Sequence, residues 1–109
     1  MDPTDAFRTL ELRVGRIVKA ERHAAARKPA YTLSIDFGTA GIKTSSAQLT
    51  ELYRPEDLIG RLVVAATNLG VRRIAGVNSE VLVLGVPDEA GSVVLLTAER
   101  DAPLGGRVF

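Results

Sequence analysis

The stretch "LELRVGRIVKAE", residues 10–21, alternates apolar and charged side chains up to Val14 and then loses that phase at Gly15. Alternation with a period of two describes a strand buried on one face only. A glycine at the phase break marks a bulge or a sharp bend. A long first strand that bends hard is what a small closed barrel requires. No other feature constrains the fold as much.

The rest of the chain fits that reading. "DPTDAFRTL" predicts a short helix within residues 1–10, with Asp2 as N-cap, Pro3 in the first turn, and Ala6, Phe7 and Leu10 on one face. "YTLSIDFG" alternates cleanly, placing Tyr31, Leu33, Ile35 and Phe37 on one side of a second strand. "GIKTSSAQ" gives a third strand. "LTELYRPEDLIG", broken by Pro55 and ended by Gly60, is a helical or turn insertion. "RLVVAAT", "EVLVLGV" and "SVVLLTA" are three further strands rich in β-branched residues. The tail, residues 100–109, is irregular and then apolar. Such short strands, with one helical interruption after the third, predict an all-β, five-stranded Greek-key barrel of the OB type. A β-sandwich is the alternative. With 109 residues, the chain is expected to form one domain, residues 1–109.

Composition excludes more than it assigns. Cysteine is absent and His23 is the only histidine, so neither a cysteine nor a multi-histidine metal site is expected. No Gly-x-Ser-x-Gly elbow or glycine-rich phosphate loop is present, so neither catalysis nor a cofactor is expected. No apolar run approaches the roughly 20 residues of a membrane helix. "MDPTDAF" does not read as a signal peptide, so a cytoplasmic protein without membrane insertion is expected. The formal net charge is only +1, but it is segregated. Arg8 to Lys28 holds seven basic and two acidic residues, whereas Leu49–Gly60 and Val81–Phe109 are both net acidic. Segregation of this kind makes a basic face for a polyanion; solvated strand faces are the other reading.

The link "TNLGVRRIAGVNSEVLVLG", residues 67–85, is unusually polar for a connection between apolar strands. Asn68 offers an amide to a ribose or base edge, and Arg72 and Arg73 offer planar forks to phosphate. In an extended link adjacent arginines point opposite ways, so one is expected to face ligand and the other to pair with Glu80. Ser45, Ser46 and Gln48 form a polar patch at the end of the third strand, with Lys43 supplying charge; Ser46 and Gln48 are equally suited to capping the next helix. Arg27 and Lys28 sit in the loop between the first two strands, a common binding loop in OB barrels. Aromatic residues are scarce, and Tyr31 and Phe37 alternate into the core. That shortage argues against general single-strand binding and favours folded RNA gripped by backbone and shape.

Four blocks in order, "LELRVGRIVKAERH", "ARKPAYTLSIDFG", "GIKTSSAQLTELYRPEDLIGRLVVAATNL" and "RRIAGVNSEVLVLG", resemble the tRNA-binding OB-fold domain family. The same domain type is appended to some methionyl-tRNA synthetases. "ARKPAY" and "SSAQ" point to its small bacterial CsaA branch. The resemblance implies tRNA as partner, a homodimer built from the chain ends, and a role for Ser79 near the RNA surface. A turn cap is the other reading of Ser79. The apolar residues Ala6, Phe7, Leu10, Leu104, Val108 and Phe109 would form the dimer interface. Proteins of this branch have also been assigned a chaperone role in protein export, which makes unfolded or export-bound polypeptides a second expected partner class. Relatives usually carry proline and a polar or acidic residue where this chain has Ala24 and Ala25, and often Pro-Pro where it has Gly70–Val71. The arginine link is therefore expected to be more flexible here.

Overall fold

The computed structural model describes residues 1–109. Its elements run α1 (Pro3–Thr9), β1 (Leu12–Arg22), β2 (Tyr31–Asp36), β3 (Ile42–Ala47), α2 (Pro55–Leu58), β4 (Leu62–Ala66), β5 (Arg72–Ile74), β6 (Val77–Ser79), β7 (Leu82–Val83), β8 (Gly85–Pro87) and β9 (Val93–Leu95). Asp2 caps α1 through its carboxylate, which accepts the Asp5 N–H at 2.9 Å. No residue of α1 is buried. No helix is long and apolar enough to cross a membrane.

Five strands form an antiparallel sheet in the order β3-β2-β1-β4-β7. β1 carries the curvature by changing partners: Leu12 to Arg16 pair with β4, and Arg16 to Arg22 pair with β2. Of the bulge or sharp bend expected at Gly15, the bulge lies instead between Ile17 and Lys19, while the change of partners falls at Arg16, beside Gly15. Gly15 answers to packing instead: a Cβ there would stand 2.6 Å from Ile35 Cγ2 and 2.7 Å from Phe37 Cε1. The tail covers the edge of β1 that β2 leaves open. Gly105 and Val108 donate to the carbonyls of Val14 and Leu12 at 2.8 Å, and Val14 donates to Gly106 at 2.9 Å.

Tyr31, Leu33, Ile35 and Phe37 all point inward, as the alternation predicts, and pack with Ile17, Val63, Ala65 and Val81. Leu49 and Leu58, from the insertion, complete that core. The insertion is mostly turn, with helix only at Pro55–Leu58.

The barrel closes between β3 and the segment entering β7, partly through side chains. The Glu80 N–H donates to the Thr44 carbonyl at 2.8 Å. In return, Thr44 gives its N–H and its hydroxyl to the Glu80 carboxylate, and the Ser46 N–H donates to Ser79 Oγ at 3.0 Å. Edge N–H groups left unpaired in a seam would cost the free energy of a lost hydrogen bond. The result is a nearly closed five-stranded OB-type barrel.

Two further expectations change. The apolar run 80–86 is not one strand: β7 belongs to the barrel, while β8 turns away to pair with β9 as a separate ribbon. Gly85 permits the departure, since a Cβ there would lie 2.6 Å from Val93 Cγ1 and 2.8 Å from the Val94 carbonyl oxygen. The polar link is not extended either. It folds back as the β5–β6 hairpin, with Arg72 opposite Ser79 and Arg73 opposite Asn78. Its two-residue turn, Ala75–Gly76, has positive φ at both positions (46° and 86°), as the right-handed twist of a tight hairpin favours.

Candidate nucleic-acid interface

Strand alternation gives the hairpin two faces. Arg72, Ile74, Val77 and Ser79 share one, and Arg73 and Asn78 the other. On the first face, Arg72, Ile74 and Ser79 line a groove of about 310 Å³ shared with Ser46 of β3. Ser46 and Ile74 also line an adjoining depression of about 300 Å³, which takes in Arg27, Lys28 and Gln48. The two depressions therefore form one continuous concavity bounded by the β1–β2 loop, the end of β3 and the hairpin. No carboxylate lines either part; the nearest on this side, Glu51, stands in the next depression beyond Lys28 and Gln48, where it accepts the Ser92 hydroxyl at 2.6 Å. The chain's ion pairs engage Arg13, Arg16, Lys19, Arg54 and Arg100, and Arg27, Lys28 and Arg72 are among the nine basic residues outside them. Three cations outside any ion pair around one concave surface make a local positive potential suited to phosphate.

His23 holds this concavity together. The residue is only 8% exposed; Nδ1 lies 3.2 Å from Ser46 Oγ and Nε2 lies 3.2 Å from the Ala75 carbonyl oxygen. A neutral ring satisfies both contacts when Nε2–H donates to the carbonyl and Nδ1 accepts the Ser46 hydroxyl proton. One side chain thus ties the loop, β3 and the hairpin turn to each other. Sequence reasoning missed this role, because nothing local to His23 signals partners at positions 46 and 75. Ser79, buried, adds the second tie, its hydroxyl accepting the Ser46 N–H.

Of the ten candidate RNA-contacting residues, six meet at the concavity: Arg27, Lys28, Ser46, Gln48, Arg72 and Ser79. The other four lie elsewhere. Ser45 is 1% exposed, because it stands opposite Leu33 on the inward face of β3, so its hydroxyl is closed to any ligand. Lys43 lines a different depression, with Glu11, Arg13 and Phe37. Asn68 is exposed, but its amide braces the exit of α1, accepting the Glu11 N–H and donating to the Thr9 carbonyl, both at 2.8 Å. Arg73 donates to Asn78 Oδ1 at 3.1 Å on the hairpin's other face.

The expected pairing of an arginine with Glu80 does not occur. The seam claims that carboxylate, and the hydrogen bonds from the Thr44 hydroxyl and N–H hold it below the ordinary glutamate range; nearby Lys43 adds a smaller push the same way, against the opposing effect of burial.

At the chain ends, Phe7, Arg8, Arg107, Val108 and Phe109 surround a shallow hollow of about 390 Å³. Phe7 is 43% exposed and Phe109 fully so. Leu10 and Leu104 are half-buried nearby in sequence. Arg107 anchors the tail to the end of the helix through the carbonyls of Arg8 and Leu10.

Against known proteins, the family model described as "Putative tRNA binding domain" matches residues 12–107. The methionine–tRNA ligase of Pyrococcus abyssi is 35% identical over 104 residues, which is 95% of this chain and 14% of the ligase. The chain thus spans about a seventh of the length of that curated relative. Among solved structures, the chaperone CsaA of Bacillus anthracis is 50% identical with a TM-score of 0.93, covering 100% of this chain and 99% of that one. The CsaA chaperone protein of Picrophilus torridus is 39% identical with a TM-score of 0.92, covering both chains completely. With the family match extending over nearly all of its barrel, this chain belongs to the tRNA-binding domain family.

Proposed function

We propose that this chain is a non-catalytic, cytoplasmic tRNA-binding protein that grips folded tRNA through backbone contacts in the concavity beneath the β5–β6 hairpin. One observation carries the reading: Arg27, Lys28 and Arg72, none of them in an ion pair, surround Ser46 and Gln48 on a concave surface that no carboxylate lines. The arginines supply forks for phosphate, and Lys28 a point charge. Gln48, exposed at the rim, suits a 2′-hydroxyl. Asn68, Arg73 and Lys43 lie outside the concavity and serve, in this reading, as peripheral contacts at most. The chain acts as one domain and needs neither metal nor cofactor. Its ends, through Phe7, Leu10, Leu104, Val108 and Phe109, form a two-fold interface in a homodimer. A gel-shift with total tRNA at two salt concentrations tests the reading: binding must be present at low salt and fall steeply at high salt.

A second function, holding unfolded or export-bound polypeptides, is favoured by full-length similarity to two proteins named as CsaA chaperones. Apolar capture of a peptide would persist or strengthen as salt rises, opposite to tRNA. Aggregation suppression measured at the same two salt concentrations separates the two functions.

A further inference from the structure

The two halves of the concavity differ in chemistry. The half bearing Arg27, Lys28 and Gln48 is polar, whereas the half beneath Arg72 is walled by Leu69, Ile74 and Leu82. These three are large apolar side chains left open, at 57%, 36% and 53% exposure. Single exposed leucines are ordinary, but several converging on one notch mark a binding surface. The notch, about 310 Å³, lies at the small end of the roughly 300–1,000 Å³ typical of ligand sites. That is room for one heterocycle and its sugar, not for a duplex.

We infer that this notch receives a single unpaired nucleotide of the bound RNA, its base between Leu69, Ile74 and Leu82 and its phosphate on Arg72. Charge complementarity selects this occupant. An apolar peptide side chain would satisfy the leucines but leave Arg72, and Arg27 and Lys28 beyond it, facing no anion. A nucleotide is apolar on its base faces and anionic at its phosphate, so it matches both parts of the surface. No aromatic ring lines the notch; the base is held by aliphatic contact and by the guanidinium plane of Arg72 rather than by ring stacking. Such a base must already stand out of a helix. The site therefore selects loop or single-stranded positions of a folded RNA, adding a local requirement to recognition by shape. This inference rests on the tRNA-binding reading and refines it.

Three measurements test it. The first is tRNA titration of the Leu69→Ala/Leu82→Ala double variant, which keeps every charge. Stacked or sandwiched bases contribute enough that affinity is expected to fall about tenfold, with the salt dependence unchanged. The second uses a fully paired RNA duplex, which is expected to bind parent and double variant equally. The third needs no variant: adenosine 5′-monophosphate, titrated to millimolar concentration into methyl-labelled parent protein, is expected to shift the methyl resonances of Leu69, Ile74 and Leu82. Those shifts should weaken in Arg72→Ala. Parent-like tRNA binding by a folded double variant would overturn the inference while leaving the tRNA reading intact. So would an apolar peptide moving these methyls when the nucleotide does not. If the double variant fails to fold, the nucleotide titration of the parent decides. Failure of the parent to bind any RNA is instead the failure of the tRNA reading.

Discussion

One carboxylate oxygen of Glu80 accepts both the backbone N–H of Thr44, at 3.0 Å, and the Thr44 hydroxyl, at 2.8 Å, at the seam where the barrel closes. These two bonds, the hydroxyl's first, lower the pKa of Glu80 from its ordinary value of 4.5. A carboxylate whose pKa is depressed by folding contributes stability above its unfolded pKa and loses it as pH falls through the folded value. Glu80→Gln keeps the shape but removes the charge. It should cost about 1 kcal/mol at pH 7, the difference between a charge-assisted and a neutral hydrogen bond. The difference from the parent should shrink towards zero as pH drops below 4.5. Thermal melts of both proteins across that range check it.

Asn68 braces the exit of α1 through both ends of its amide. Asn68→Ala should therefore lower stability by about 1–2 kcal/mol through two lost hydrogen bonds. Its tRNA affinity should change by less than about twofold where the protein remains folded, well under 1 kcal/mol. A melt and a titration on the same preparation suffice.

Ala75 has a φ of 46°, a conformation that L-residues other than asparagine and aspartate rarely adopt. Ala75→Asn creates the Asn-Gly pair that two-residue hairpins prefer, and leaves the carbonyl available to His23. Stability should rise by about 0.5–1 kcal/mol. Slower amide exchange at Arg73 to Asn78 would locate the gain in the hairpin.

The exposed Phe7 and Phe109 frame the hollow at the chain ends. If they lie in a two-fold interface, the Phe7→Ser/Phe109→Ser variant should be monomeric at micromolar concentration where the parent is dimeric. Light scattering distinguishes the two. A monomeric parent would remove the interface from the account.

Most of the barrel was legible because period-two alternation is a local signal. Tyr31, Leu33, Ile35 and Phe37 announce their own burial, and Asp2 with Pro3 announces the helix start. Gly15 was legible as a constraint but not as the right one, since a close approach by Phe37 cannot be told from a bulge without the fold. The hairpin was hidden because its turn is Ala-Gly rather than Asn-Gly, so the chain reads as extended. The site was half legible. Residue type marked Arg27, Lys28 and Arg72, but facing could not be read for Ser45, which points inward while Ser46 points out. Contacts that join distant segments, such as His23 with Ala75 and Glu80 with Thr44, leave no trace in local pattern.

The central claim is that free cations around the hairpin concavity meet RNA phosphate. The measurement is the slope of log affinity for total tRNA against log salt concentration, for the parent and for Arg27→Ala, Lys28→Ala, Arg72→Ala and their triple combination. Each single change should weaken binding and lower the slope by roughly 0.7 to 0.9, the counterion release of one phosphate contact. The triple variant should lower it by roughly 2 to 3 while melting like the parent. A folded triple variant with the parent's affinity and slope at every salt concentration would contradict the account and move the RNA to another face.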